Sequence, residues 1–366
     1  MKLKDANILF FSRTMGLGGT ENVLLQLCEI FKPQVNKIVV CSCGGVNVEK
    51  LEKLGIKHYT IPDIEKKSPL IVFKVIRALL KIVKEENINI VHCHNRMAAF
   101  YISLLKLYKK CTFITTAHST FYSKRFLTRF SYKHTNLIAC GDIVKKNLVE
   151  FFHLPTDQIC VIHNAVKVDN EPIIEDALIK TLKYNGYFIV ANVGRLDEAK
   201  GFNYYIKAIP HIISKHPNTA FLIVGSGYFE QDLRNLAKSL NVESYVHFLG
   251  YRNDVRNIMK QVDLIVSSSF HEGLPLTPIE AFSVGRTIVA TDVDGTVEIV
   301  EDNINGLLIK PKNEHMIADK VNRLIENPDI LQNMEEKSKE TFNKKFSFEL
   351  FKLQYVSLYI EFSRLL

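Results

Sequence analysis

The chain has 366 residues, 47% of them hydrophobic and 23% charged, with a formal net charge of +8. Such a composition suits a globular protein with room for two separately cored domains. It speaks against a membrane-spanning protein, because no apolar run approaches the ~20 residues that cross a bilayer; MKLKDAN also leads straight into a strand-like run with no signal-peptide apolar region, so a cytoplasmic location is expected. Seven cysteines (28, 41, 43, 93, 111, 140, 160) all fall in the first half, mostly inside strand-like runs and without a C-x-x-C. They read as buried reduced thiols, not as a disulfide framework or a zinc site. The charge is unevenly shared: residues 1–166 carry 24 Lys and Arg against 12 Asp and Glu, residues 167–366 carry 23 against 27. A basic first half points to a polyanionic surface partner, with anionic lipid and nucleic acid as the candidates.

Taken in order, residues 6–12 (ANILFFS) form a buried-strand run, followed by a glycine loop over 15–19 and a helical pattern from Thr20, read as its cap, to Phe31. Apolar strand candidates then recur at 37–43, 88–94, 111–118, 137–141 and 158–164, with helical stretches between most of them. Residues 165–185, acidic and weakly periodic around Pro172, read as a linker. The alternation restarts with strands at 187–194, 220–227, 246–250, 264–269, 286–291 and 306–310, and ends in an aromatic-rich helical stretch over 347–366. Short apolar runs alternating with helices predict α/β architecture with parallel sheets covered on both faces. Two doubly wound halves are the simplest arrangement, with ligand sites at the strand C-termini, in a cleft between them.

The most informative stretch is SFHEGLPLTPIEA, residues 269–281, directly after an apolar run. Gly273 and Pro275 mark a strand-to-helix turn, which leaves free amides at a helix N-terminus as a seat for phosphate. Glu272 and Glu280 lie eight residues apart, about two turns at ~3.6 residues per turn, and can share one face as acceptors for sugar hydroxyls. An ordinary amphipathic helix with two surface glutamates fits the same spacing. Gly18 and Gly19, between the first strand and its helix, would let backbone amides approach a phosphate or sugar closely. They do not complete a dinucleotide fingerprint, since G-x-G-x-x-G read from Gly16 ends on Glu21. His118 ends the run CTFITTAH and should project at the cleft. His92 and His94 share one strand face with no third metal ligand at a clear spacing, so no metal site is expected.

Several segments taken together resemble the retaining glycosyltransferases of family 4. These are VGRLDEAKGF (193–202), LIVGSGYFEQDL (222–233), VHFLGYRNDV (246–255), the E-x7-E pair and DGTVEIVEDNINGLLI (294–309), with MGLGGTENVLL (15–25), IVHCHNRMA (90–98), TAHS (116–119) and VIHNAV (161–166) in the first half. The resemblance covers nearly the whole chain in order. It implies a GT-B fold, with an acceptor-side Rossmann-like domain over 1–170, a nucleotide-sugar domain over 171–346, and the stretch 347–366 packing back on the first. It further implies that Glu272, Gly273 and His118 meet the donor sugar and that Glu280 takes the ribose. Arg195 and Lys200 would grip the diphosphate together with Gly18, Gly19, Leu274, Leu276 and Thr277, and His94 would touch the acceptor. Backbone groups around Leu249 and Gly250, with Arg252 at the edge, would read the base. Fixed cations at a departing diphosphate stabilise the transition state more than the ground state, which fits the implied metal-independent, cofactor-free mechanism with a UDP-linked donor.

Tyr122, Phe126 and Phe130 recur every four residues beside Arg125, Arg129 and Lys133, and Lys74, Arg77, Lys81 and Lys84 form a second cationic row. Rings beside cations suit an anionic membrane surface, so a cytoplasmic enzyme peripheral to the inner face of the membrane and acting on a glycan or lipid-linked acceptor is expected. Packing of the rings in the core is the alternative. Lys-, Asn- and Ile-rich usage suggests a bacterial source and hence capsule, exopolysaccharide or cell-wall glycan assembly. A nucleotide-sugar epimerase is the first rival; a non-catalytic nucleic-acid-binding protein is the second, and the chain contains no recognisable nucleic-acid module.

Overall fold

The computed structural model describes residues 2–168 and 172–364. The chain divides into two units, one running to Asn164 and resumed from Glu349, the other Ala165–Phe348. Each is built on its own parallel sheet with helices, and the α/β reading of the sequence holds for both.

The first unit contains β1 (Asn7–Phe11), β2 (Lys37–Ser42), β3 (Lys57–Thr60), β4 (Ile90–Cys93), β5 (Thr112–Ala117), β6 (Asn136–Ala139) and β7 (Ile159–Val161). Their spatial order is β3-β2-β1-β4-β5-β6-β7. Strands covered on both faces need apolar side chains at every position; Ile8, Leu9, Phe10 and Phe11 are accordingly fully buried. β3, with the sequence KHYT, is the one strand the periodicity missed. It lies at the sheet edge and is half exposed, so it needs no apolar run. Its hold is polar: the Glu86 carboxylate, 7% exposed, pairs with Lys37 at 2.9 Å and Lys57 at 2.8 Å and accepts from Tyr59. Hydrogen bonds from Lys37, Lys57 and Tyr59 bring its pKa down to about 2.

The second unit contains β8 (Phe188–Val193), β9 (Thr219–Val224), β10 (Val246–Gly250), β11 (Leu264–Ser267), β12 (Ile288–Thr291) and β13 (Leu307–Ile309), in the order β10-β9-β8-β11-β12-β13. Its core joins Val190, Phe202, Tyr205, Phe221, Val266 and Leu307, all fully buried. In each sheet one strand stands where the order reverses: β1 lies between β2 and β4, and β8 between β9 and β11. Loops leaving such neighbours diverge to opposite sides, which opens a crevice at the strand C-termini.

Three local readings are corrected. The first long helix is Gly19–Phe31 with Gly18 as its cap, and no side chain caps it; Thr20 is already inside the helix. The segment read as a linker contains the helix Ala177–Tyr184, which Asp176 caps by accepting from the amides of Leu178 and Ile179. Tyr122, Phe126 and Phe130 are 69%, 89% and 46% exposed, so the core-packing alternative fails. Only the last two belong to the helix Arg125–Tyr132. The final helix, Phe348–Arg364, places Tyr355 and Tyr359 in the interior of the first unit, where the Tyr359 ring lies 4.1 Å from that of Phe31.

Candidate active site

In the second unit the loops after β8 and β11 carry the cation and the acid of interest. Asp197 begins a single 3-10 turn over Glu198–Lys200 by accepting from the Lys200 amide at 3.2 Å. Gly201 ends the turn in the left-handed region at φ +63°, where any Cβ would stand 2.1 Å from the Ser268 carbonyl oxygen. That close approach brings Lys200 against the second loop, and its Nζ lies 2.6 Å from Glu272 Oε1, with side chains 28% and 12% exposed. Arg195 pairs its Nε with Asp197 Oδ2 at 2.5 Å while its side chain remains 69% exposed, leaving the rest of the guanidinium toward solvent.

Ser268 stitches these loops together. It accepts from Asn192 Nδ2 at 3.0 Å and donates to the Lys200 carbonyl at 3.0 Å. Phe270 N donates to the Ala199 carbonyl at 2.8 Å. A third loop supports Glu272 from below: the Gly295 amide donates to the Glu272 carbonyl, and a Cβ on Gly295 would stand 1.7 Å from the Gly273 oxygen. Asn192, Asp197, Ser268 and Gly295 escaped the sequence reading. Asp197 acts locally, on Arg195 and the Lys200 amide, while the roles of Asn192, Ser268 and Gly295 appear only once β8, β11 and β12 are neighbours.

After Leu274, which is buried, Pro275 turns the chain into the helix Leu276–Ser283. The first amides of a helix have no partner within it, and the macrodipole adds positive potential there. The Thr277 hydroxyl donates to the Val193 carbonyl at 3.4 Å, fixing this end of the helix beside the end of β8. Glu280 stands four residues into the helix, about 6 Å along its axis. Burial raises its carboxyl above the ordinary range, with Arg256 opposing. At the end of β10 a bulge separates Phe248 from Gly250, whose φ is +66°, and places Leu249 between them. Arg252 is engaged within the protein: it forms a two-pronged pair with Asp254, both contacts 2.7 Å, and reaches Asp176 at 2.9 Å.

In the first unit Gly18 and Gly19 open the helix after β1, His94 follows β4 and His118 follows β5. His94 Nδ1 and His118 Nε2 are 3.1 Å apart with rings stacked at 5.3 Å. Both line a cavity of about 150 Å³ together with Thr20, Glu65, Arg96 and Ser119. Burial lowers the His118 pKa to about 4 and pushes His92 and His94 well below the ordinary value, so all three rings are neutral near pH 7. Arg96, also missed from the sequence, stacks 4.7 Å over Phe121 and donates to Thr128 at 3.0 Å.

Two family models match: Glycosyltransferase Family 4 over residues 17–170 and Glycosyl transferases group 1 over residues 174–341. An uncharacterized glycosyltransferase of Methanocaldococcus jannaschii is 25% identical over 346 residues, covering 86% of this chain and 85% of its own. The Escherichia coli UDP-Gal:alpha-D-GlcNAc-diphosphoundecaprenol alpha-1,3-galactosyltransferase is 28% identical over 316 residues, covering 80% and 81%. Among solved structures, a Rickettsia africae glycosyltransferase superposes with TM-score 0.84 at 22% identity over 98% of both chains. Anabaena HepE in complex with UDP superposes with TM-score 0.81 at 20% identity, over 96% of this chain and 99% of that one. Models for both halves, relatives that match along most of their length and two Rossmann-like sheets agree: this chain is a glycosyltransferase of GT-B fold, similar to family 4.

Proposed function

We propose that the enzyme is a retaining, metal-independent transferase that moves a sugar from a UDP-linked donor to a lipid-linked or glycan acceptor in bacterial surface polysaccharide assembly. The observation that carries the donor reading is the Lys200–Glu272 pair on two loops at the β8/β11 switch point, beside the start of the helix Leu276–Ser283. Solved complexes of the structurally similar HepE contain UDP and UDP-glucose. The E. coli relative takes UDP-Gal and a diphosphoundecaprenol-linked acceptor.

In this reading Arg195, Lys200 and the amides around Leu274, Leu276 and Thr277 hold the donor diphosphate, with Gly18 and Gly19 allowing close backbone approach in the first unit. Glu272, Gly273 and His118 hold the donor sugar, Glu280 the ribose, and the backbone of Leu249 and Gly250 the base. Arg252, already paired with two carboxylates, serves this edge by shaping the loop. His94 meets the acceptor. The bond between the anomeric carbon and the diphosphate breaks as the acceptor oxygen bonds to the same face of that carbon. The acceptor's proton passes to the departing phosphate oxygen. Charge that grows on the diphosphate meets fixed cations and amides that need no reorganisation, and no side-chain nucleophile is required.

Docking to an anionic membrane would deliver the acceptor. Phe126 and Phe130 stand exposed beside Arg125 and Arg129, and the helix Pro69–Glu85 exposes Leu70 (73%) and Phe73 (62%) beside Lys74 and Arg77. Rings at headgroup depth with cations on anionic lipid are a recognised interfacial arrangement. Among the described residues no helix is long and apolar enough to cross a membrane. A thermal-shift screen of UDP-, GDP- and ADP-sugars tests the donor, since a ligand at a hundredfold its Kd adds ~2.7 kcal/mol. Proton NMR of the anomeric coupling in the product tests retention, and an inverted product refutes it. Flotation with vesicles containing phosphatidylglycerol tests docking; binding that ignores anionic lipid, or survives Phe126→Ser with Arg125→Glu, refutes it.

A further inference from the structure

A buried polar column lies behind His94. His92 Nδ1 lies 2.7 Å from the Tyr359 hydroxyl, 267 residues away in the chain, and His92 Nε2 lies 2.8 Å from Thr116 Oγ1. Thr116 Oγ1 is also 3.3 Å from the Tyr355 hydroxyl. Tyr359 and His92 are fully buried, and Thr116 and Tyr355 are each 1% exposed. The His92 ring stacks on His94 at 4.4 Å with 29° between planes, and His94 in turn stacks on His118.

These contacts determine the tautomer. A buried phenol must donate its proton somewhere, since an unmade bond costs the full desolvation of the group. The Tyr359 hydroxyl lies against His92 Nδ1, which therefore accepts. His92 then carries its proton on Nε2 and donates to Thr116. With both nitrogens engaged, this ring cannot rotate without breaking two buried hydrogen bonds. His94 is less well held. Its Nδ1 meets His118, but its Nε2 is buried without a partner. One hydrogen bond does not fix a ring plane; further restraint comes from contact with the fixed His92 ring, from the His118 ring and from Phe10, 5.8 Å away.

We propose that Tyr359 of the last helix is a positioning residue for glycosyl transfer: its hydroxyl fixes His92, and His92 sets the ring planes of His94 and His118 by stacking. This rests on the reading that His94 and His118 meet the substrates. It gives the last helix, far from the sugar-nucleotide motifs in sequence, a place in the chemistry.

The test is Tyr359→Phe, which keeps the ring against Phe31 and removes only the hydroxyl, compared with Tyr355→Phe, the same truncation one turn earlier, where the hydroxyl faces Thr116. Steady-state kinetics is combined with imidazole nitrogen NMR of histidine-labelled protein. Tyr359→Phe is expected to move the His92 resonances from a fixed Nε2–H tautomer toward a mixture, to shift those of His94 and His118, and to lower kcat about tenfold with donor KM within about twofold. Tyr355→Phe should leave the resonances in place and kcat within about threefold. Unchanged resonances in Tyr359→Phe, or equal kcat losses in the two variants, overturn the proposal. If Tyr359→Phe does not fold, Thr116→Val breaks the other His92 bond and must move the same resonances. Should no donor sugar support turnover, the transfer reading fails, while the resonances still decide whether the column positions the two rings.

Discussion

Lys200→Ala probes the donor site most directly. The Lys200–Glu272 pair is 2.6 Å long with side chains 28% and 12% exposed, so it is neither a free surface pair nor a dry one. Removing one partner of a fully buried pair costs roughly 3–5 kcal/mol, and exposed pairs contribute about 0–1 kcal/mol. Partial screening here places the stability loss at about 1–2 kcal/mol, a melting shift of roughly 2–8 °C for a unit of this size. The activity loss should be larger. A preorganised charge aimed at the departing diphosphate contributes about 3–4 kcal/mol to the transition state, or 10²–10³ in kcat. Turnover is read from UDP release with the donor found by thermal shift, and folding from the melting curve of the same preparation. A Lys200→Ala enzyme that melts within the stated range yet keeps kcat within about threefold of the parent would show that Lys200 only neutralises Glu272. Adding Glu272→Ala completes a cycle: if the pair is mainly structural, the double variant recovers most of the stability lost by Lys200→Ala, because no uncompensated carboxylate remains.

Other outcomes follow from the same geometry. Burial raises the Glu280 carboxyl, so its ionised form is disfavoured in the fold at neutral pH; Glu280→Gln should raise the melting temperature while weakening UDP about tenfold by calorimetry, and unchanged UDP affinity would remove Glu280 from the ribose site. Gly295→Ala drives a methyl to 1.7 Å from the Gly273 oxygen and should cost about 1–3 kcal/mol while misplacing Glu272, visible as a joint loss of melting temperature and kcat. The depressed His118 pKa, about 4 against an ordinary ~6.5, means the unfolded chain binds more protons between those values. Stability should therefore fall as pH drops from about 6.5 to 4, by on the order of 3 kcal/mol from this group alone. His118→Gln should flatten that slope in denaturant titrations, and an unchanged slope would refute the assignment.

The sequence by itself determined the alternation of buried strands with helices, because a parallel strand covered on both faces must be apolar through its middle, as in residues 8–11 and 264–266. The turn after the run 264–269 drew attention to Glu272 and the end of CTFITTAH to His118, while Lys200 and the acceptor role of His94 came with the resemblance to family 4. β3 escaped because an edge strand held by Glu86 needs no apolar run. Only the tertiary structure decided which loops meet. Lys200 and Glu272 are 72 residues apart and pair because β8 and β11 are neighbours and Gly201 lets their loops close. The hydrogen bond from Tyr359 to His92 spans 267 residues and exists because the chain's last helix belongs to its first unit. Local periodicity reports what each segment buries; strand order, a property of the whole sheet, determines what each buried or half-buried polar group finds beside it.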